Sequence, residues 1–535
     1  MKHVTKQLFS IAMLLSAFAY AKDDVHGTRS VAPVYRSSQF TGNGLLTQAN
    51  HCCEDDSDSF FAHLSAGVEY SHSMQKERLA SYFVPSLATT TTAATNNASK
   101  TYKTSIAFGA EAAAATDVFS LNFWLPTDHV STVTFNPKFY AVNTDLRLHV
   151  GLGEFVENLW LNVDLPIVHA CWDLGLTKSI TTAGTVATGA AKFGTGAATL
   201  PYTDPILAMA GDKSSTQNTT VETTVLTYGK FSADKTNCKK TKVGNTLIAL
   251  GMDFIKKDNA QLGLGVLGVI NGDEVSNAKY VNTPVIGNGG RHGVGLRLDG
   301  SVRLWENNDT ALSAHLRADG AYIFDATVRR SFDFTANGTW SRYLLLKKHT
   351  DFNHVAAVTN AVNVTSLQAK IGKFLYCDVN LMFSLTHNAW EFNVGYNLGG
   401  VDKERLTKFV DTITPSTYTF FSYSGAPVGD QNADVAHAPT VQIDGSNGTK
   451  GTTPAAGTAL TAANLAAQTI TNDSLNKDSG LQPRSISHRV YGNLGYCYDK
   501  NEWMPSFSVG GSAEFSADNK AVRIWGVHGT FGICF

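Results

Sequence analysis

Hydrophobic and polar residues alternate with a period of two in repeated segments along most of the chain. At 140–152, for example, Tyr140, Leu146 and Leu152 share one face, and polar residues occupy the other. This period is the signature of a β-strand with one apolar face. The pattern predicts fourteen strands, at 60–74, 102–112, 118–126, 139–152, 158–171, 241–256, 260–272, 292–306, 309–325, 372–386, 389–402, 484–498, 503–516 and 520–535.

The connections between these strands alternate between short and long. Tight turns are expected near 153–154, 257–258, 307–308, 387–388 and 499–500. Bacterial transmembrane barrels have short periplasmic turns and longer external loops. The sequence therefore predicts a closed antiparallel transmembrane β-barrel of about fourteen strands, with twelve to sixteen as the range. Long external loops are expected at about 75–101, 172–240, 326–371 and 403–483.

The external connections carry two finer expectations. Segments 87–104, 176–226 and 446–478 are rich in Thr, Ala, Gly and Asn, and we expect flexible loops with too few large apolar residues for an independent core. Segment 403–413 has apolar residues at helical spacing, which predicts a short helix.

Both ends of the chain carry export features. Residues 1–21 combine Lys2 and Lys6, a short apolar stretch and the small-residue pattern Ala19-Tyr20-Ala21, which predicts a cleaved signal peptide. Residues 22–59 form a polar N-terminal segment, either a periplasmic tail or a plug in the barrel, and the barrel is expected to span 60–535. The last strand alternates and ends in an aromatic residue, with Trp525, Phe531, Ile533 and Phe535 on its apolar face.

A last strand of this kind, together with the signal peptide, resembles bacterial outer-membrane β-barrel proteins of the porin-like class. The resemblance implies a location in the bacterial outer membrane, contact with its lipid, and a terminal strand that the barrel-assembly machinery reads as a signal. Self-association into homo-oligomers stays open.

Composition and motifs exclude several other classes. The formal net charge is −2, so the basic excess of a nucleic-acid-binding protein is absent. No stretch after the signal peptide approaches 18 apolar residues, so helical membrane spans are not expected. The sequence contains no GxSxG, HExxH or P-loop motif and no zinc-type Cys/His spacing. We therefore expect no enzyme activity, no cofactor and no metal site.

The alternation also assigns the two faces of each strand. In a large barrel the apolar face meets lipid and the polar face meets the lumen. The predicted lumen residues are Asp145, Arg147, His149, Asp164, Asp253, Arg297, Asp299, Arg303, Arg317, Asp319, Asp378, Glu391, Arg489 and Glu514. Acids outnumber bases among them, which predicts a weak preference for cations.

Two pairings follow from this assignment. Strands 292–306 and 309–325 keep opposite charges together when Arg297 lies opposite Asp319 and Asp299 opposite Arg317. Cys171 and Cys238 flank a long external connection, so adjacent strand ends could bring them within reach of a disulfide, with two separate thiols as the alternative.

The leading functional hypothesis is a porin-like channel for passive diffusion of small hydrophilic solutes. A barrel-anchored surface adhesin and a substrate-specific transporter with an N-terminal plug are the alternatives. An open polar lumen would favour the channel, and a lumen packed with interlocked side chains would favour the adhesin.

Overall fold

Twelve antiparallel strands close into one barrel in a computed structural model of the chain. The structure describes residues 60–84, 89–91, 99–109, 117–185, 202–211, 222–232, 238–351, 354–415, 417–420, 470–498, 503–516 and 521–534. The predicted signal peptide, residues 22–59 and Phe535 lie outside the described residues. Within the described part, no helix is long and apolar enough to cross a membrane.

Each barrel strand pairs with the next strand of the barrel along the chain, and the last pairs with the first. The strands are β1 (Phe60–Ser73), β2 (Lys138–Leu152), β3 (Leu159–Asp173), β4 (Asn245–Lys257), β5 (Ala260–Asn271), β6 (Gly293–Asn307), β7 (Thr310–Ser331), β8 (Ser366–His387), β9 (Trp390–Val401), β10 (Ser485–Cys497), β11 (Met504–Ser516) and β12 (Ile524–Cys534). The fold class is confirmed, with a strand number at the lower end of the predicted range.

Two predicted strands, 102–112 and 118–126, are not part of the barrel. Ser105–Gly109 and Val118–Phe119 instead belong to a small sheet with Val130–Thr134 and Thr177–Thr182, and a 3₁₀ turn follows at Ser120–Phe123. The residues from Leu121 to Leu125 are mostly apolar without alternation, and all are buried. A segment that is apolar on both faces fits a core better than a wall between lipid and lumen.

The external connections fold into a layer above the barrel, which we call the outer layer. Besides the small sheet it contains strands Thr89–Thr91, Ser99–Thr101, Glu222–Thr224, Lys239–Val243, Asp333–Phe334, Leu345–Asp351, His354–Asn360, Arg405–Phe409, Tyr418–Phe420 and Leu475–Asn476. Its helices are α1 (Lys76–Ala80), α2 (Pro205–Ala210) and α3 (Ala361–Thr365), with 3₁₀ turns at Ser341–Tyr343, Asn472–Ser474 and Lys477–Gly480.

The outer layer adds to one expectation and corrects another. Tyr202 and Met209, within segment 176–226, are buried in an apolar cluster with Phe123, Trp340 and Tyr343. A few large side chains from each connection are enough, because distant segments share one core. The predicted helix at 403–413 is wrong: Arg405–Phe409 is a strand that pairs with the outer part of β8, where the ladder satisfies its backbone groups.

The outer face of the barrel is apolar and ringed by aromatic residues. Leu64, Val68, Val266, Leu296 and Val509 are exposed there. Near the short-turn end lie Phe155, Trp305, Trp390, Trp503 and Phe507, and toward the other end lie Tyr70, Tyr322, Phe324, Phe515 and Trp525, all exposed. An apolar band between two aromatic girdles is characteristic of barrels in the bacterial outer membrane.

Candidate functional site

The barrel interior is the candidate site, because it gathers charged side chains from strands far apart in sequence. All fourteen predicted lumen residues lie on barrel strands, on the face opposite the exposed apolar residues. Twelve are buried, and His149 and Arg303 are half-buried. Arg303 lies near the β6–β7 turn and contacts Glu306 there, so it belongs to the rim more than to the lumen.

Arg297 is the centre of the largest charged network. Its Nε and Nη2 donate to the two carboxylate oxygens of Asp319, at 2.8 and 2.9 Å. The same guanidinium reaches over β4 and β5 to β3, where Nη1 donates to Asn162 at 3.1 Å and Nη2 to Asp164 at 3.2 Å. Arg147 adds a second cation 3.6 Å from Asp164. The network joins strands across the lumen and narrows it.

The predicted register of β6 and β7 is confirmed. Arg297 lies opposite Asp319 and Asp299 opposite Arg317. Arg317 Nε donates to Asp299 Oδ1 at 2.6 Å, so the second pair is also formed.

A further ion pair was missed at the sequence level. Arg489 donates to Glu69 on β1 and to Ser512 Oγ, the latter at 2.7 Å. Glu514 lies opposite Arg489 in the β10–β11 ladder but is not its ion partner. The alternation of Leu64, Val68 and Tyr70 with polar neighbours would have placed Glu69 in the lumen.

Three predicted lumen carboxylates accept hydrogen bonds from neutral side chains. Asp253 accepts from Trp160 Nε1 at 3.0 Å and from Gln261 Nε2 at 2.6 Å. Asp378 accepts from Asn397 at 2.7 Å, and Glu391 accepts from Ser384 at 2.9 Å.

Trp160 packs directly against glycine residues of the barrel wall. A Cβ at Gly251 would lie 2.2 Å from the indole, and a Cβ at Gly265 would lie 2.8 Å from it. Only glycine leaves room for an aromatic ring flat against the wall. The ring narrows the lumen near its periplasmic end.

One side of the lumen wall is apolar, which departs from the expectation of a polar interior. Leu247, Ala249, Leu267 and Val269 on β4 and β5 face inward and are 0–1% exposed. The outward neighbours on these strands, such as Leu250 and Val266, are apolar as well. Simple alternation therefore could not assign the lumen side of this hairpin.

The external mouth of the lumen is covered near β2 and β3. Phe139 and Trp172 face inward at the outer ends of these strands and pack at 4.8 Å between ring centroids. They continue into the apolar core of the outer layer through Phe83, 5.7 Å from Trp172.

Cys171 and Cys238 lie together at the external end of β3. Their sulfur atoms are 2.9 Å apart, and both are thiols in the structure. The pair is within reach but not bonded, so the disulfide stays a prediction. In the described ranges, no group of three or more His, Cys, Asp or Glu residues is arranged to hold a metal ion.

Comparisons with known proteins give likenesses of fold only. No protein-family model matches the sequence, and no curated protein matches it. An outer membrane channel from Pseudomonas putida F1 is similar over 89% of this chain and 96% of its own, at 9% identity and a TM-score of 0.35.

Two other solved structures have lower scores. A FadL homologue of Pseudomonas aeruginosa covers 89% of this chain and 90% of its own, at 7% identity and a TM-score of 0.24. The toluene transporter TbuX of Ralstonia pickettii covers 89% of each, at 7% identity and a TM-score of 0.26. At these scores the likenesses carry no argument about function. The closed ring of strands and the apolar outer face between two aromatic girdles make this chain a transmembrane β-barrel of the bacterial outer-membrane class.

Proposed function

We propose that the protein is an outer-membrane transporter for small hydrophilic solutes, closed at rest by its own residues 22–59 inside the lumen. The observation that carries this proposal is the burial of inward-facing side chains that are too small to fill a barrel. Ser65, Ser508 and Asn393 face the lumen and are 0–3% exposed. Side chains alone fill barrels of about eight strands, and twelve strands enclose a wider space.

The apolar side of the lumen supports the same proposal. Leu247, Leu267 and Val269 are fully buried although they face the barrel interior. Apolar groups in an open water-filled pore would be exposed, so their burial, in a cluster with Ala321, Ile323 and Tyr376 of the wall, favours a lumen that is closed on this side. Residues 22–59 precede β1 in the sequence, and we take them as the segment that closes the lumen.

Two cysteines at the periplasmic rim favour this segment as the plug. Cys497 and Cys534 are both disulfide-bonded. They are separated by β11, since Cys497 pairs with Ser506 and Ser506 with Gly532. Two strand spacings of roughly 4.8 Å exceed the limit of about 7 Å between bridged Cα atoms. The remaining candidates for their partners are Cys52 and Cys53.

The polar part of the lumen favours a transport function over a barrel that only anchors the external loops in the membrane. Asn493, Glu514 and His528 lie on β10, β11 and β12 and have buried side-chain atoms without a hydrogen-bond partner. A barrel that only anchors external loops would be expected to satisfy such atoms internally. Groups left unsatisfied are suited to meet water or a passing solute.

Single-channel recording in planar bilayers tests the proposal. We expect the wild-type protein to conduct little, and the double variant Cys52→Ser/Cys53→Ser to conduct at least several-fold more because the plug is released. Cys377→Ser, which changes a thiol on the barrel, is the matched control and should behave like wild type.

The other outcomes decide between the alternatives. Full conductance of the wild type, unchanged in the double variant, would favour the passive porin. No conductance in any variant would favour the anchored adhesin. For a conducting variant, reversal potentials in a salt gradient should give a weak preference for cations, and Glu391→Gln should reduce it.

A further inference from the structure

A cavity of about 170 Å³ lies on the external side of the barrel, outside the lumen network. Its walls come from the strand Lys239–Val243, the connection between β5 and β6, the outer end of β7 and the segments that follow β9 and precede β10. Arg291, Arg330 and Glu404 line it, together with Asn288 and apolar groups of Val275, Val285 and Tyr280. The three charged side chains are 1–3% exposed.

The charges around this cavity do not cancel. Lys240 is paired with Asp273, and Glu274 with Lys242, which is not part of the lining. The remaining lining charges are two arginines and one carboxylate. A buried, uncompensated cation is costly unless an anion comes to it.

Each of the two arginines uses only one of its guanidinium nitrogens to contact Glu404. Arg291 Nη2 donates to Glu404 Oε1 at 2.7 Å, and Arg330 Nη2 lies 3.6 Å from the same oxygen. The Nε and Nη1 atoms of both arginines are buried without a hydrogen-bond partner, as is Asn288 Nδ2. Glu404 Oε2 is already used by the backbone N–H of Gln482 at 2.9 Å. The cavity therefore has an excess of donors as well as of positive charge.

We propose that this cavity binds a small organic monocarboxylate, whose carboxylate is held by Arg291 and Arg330 and whose apolar body lies against Val275, Val285 and Tyr280. A planar guanidinium matches the two oxygens of a carboxylate. The single excess charge favours a monoanion over phosphate. The volume is close to that of the roughly 150 Å³ cavity known to hold a benzene-sized molecule. The proposal does not depend on whether the lumen conducts.

Isothermal titration of the full-length protein in detergent with sodium butyrate, sodium benzoate and inorganic phosphate tests this site. Butyrate or benzoate should bind, and the uncharged butyramide and benzamide should not. Arg330→Gln should weaken carboxylate binding about tenfold or more, since a charge-assisted hydrogen bond is lost. Arg329→Gln is the matched control: Arg329 is adjacent in sequence, contacts Ser366 and Asp411, and does not line the cavity.

Asn288→Asp provides a second variant in case Arg330→Gln fails to fold. It keeps the size of the side chain and adds a negative charge, so it should abolish carboxylate binding. Equal binding by wild type and both variants, or no binding of any probe, would overturn the proposal. Tighter binding of phosphate than of either carboxylate would overturn the assignment of the ligand.

Discussion

The barrel lumen and the outer layer are stabilised by different interactions. In the lumen, buried charges are held by opposite charges or by several hydrogen bonds, as around Arg297. In the outer layer, Phe123, Phe231, Trp340 and Tyr343 form an aromatic core. Removing one member of a buried ion network leaves charges behind, whereas removing a polar atom from an apolar core leaves a smaller defect. The same kind of substitution should therefore have unequal effects in the two regions.

The largest effect is expected for Arg297→Ala in the lumen. Asp164 and Asp319 would lose the guanidinium that they share, and we expect the free energy of unfolding to fall by about 3–5 kcal/mol. This change is measured by urea unfolding of the protein in lipid, with the folded fraction read from heat-dependent mobility on gels. Arg303→Ala at the exposed rim is the control and should change the free energy by less than about 0.5 kcal/mol. Equal effects of the two substitutions would contradict the role of the network.

Lys347 is an exception within the outer layer, because it is a charged residue beside an apolar core. It lies opposite Val358, a member of that core, and burial lowers the pKa of Lys347 to about 7. The unfolded chain binds the proton near its ordinary pKa, so the folded state loses stability as the pH falls from about 10.5 to 7, and the loss is complete below 7.

Lys347→Met should remove this loss. We expect a gain of about 4–5 kcal/mol at pH 7 and little change at pH 10.5, an order-of-magnitude conversion of the pKa shift at about 1.4 kcal/mol per unit. Tryptophan-fluorescence melts between pH 6 and pH 10.5 measure it, since Trp124 and Trp340 lie in this core. The exposed neighbour Lys348 provides the control Lys348→Met. A wild-type protein whose outer layer is equally stable across this range would contradict the prediction.

The smallest effect is expected for Tyr343→Phe. The hydroxyl of Tyr343 donates to the carbonyl oxygen of Gly229 at 2.7 Å, and its ring packs on Trp340. The ring stays in the variant and only the hydrogen bond is lost, at a cost of about 1 kcal/mol. Hydrogen exchange of the outer layer measures it, with Tyr70→Phe on the lipid-facing wall as the control. A loss as large as that of Arg297→Ala would mean that the two regions do not differ.

Local pattern was sufficient to predict most of the barrel. Alternation identified the twelve barrel strands, and charge matching chose the register of β6 and β7. It failed at 118–126, where Leu121, Phe123 and Trp124 are buried in a core that other connections complete. No pattern within that segment records those distant partners.

The sequence predicted the residues that face the lumen, but it did not predict which of them contact each other. The contact between Arg297 on β6 and Asp164 on β3 spans two intervening strands, and no pattern within either strand records it. Both faces of the β4–β5 hairpin are apolar, so the alternation of residues did not show which face lines the lumen. The cavity at Arg291 and Arg330 was also missed, because its walls come from five separate stretches of the chain.

Closure of the ring has a consequence for the order of events in biosynthesis. The first strand, β1, finds one of its two neighbours in the last, β12, through a ladder that runs from His63–Cys534 to Ser73–Ile524. The ring therefore cannot close until translation of the whole chain has ended. Until then β1 has a free edge that can pair with any other exposed strand. Self-association through this edge is therefore expected to be greatest while β12 is still missing, so truncated chains that lack β12 should aggregate more than the full chain.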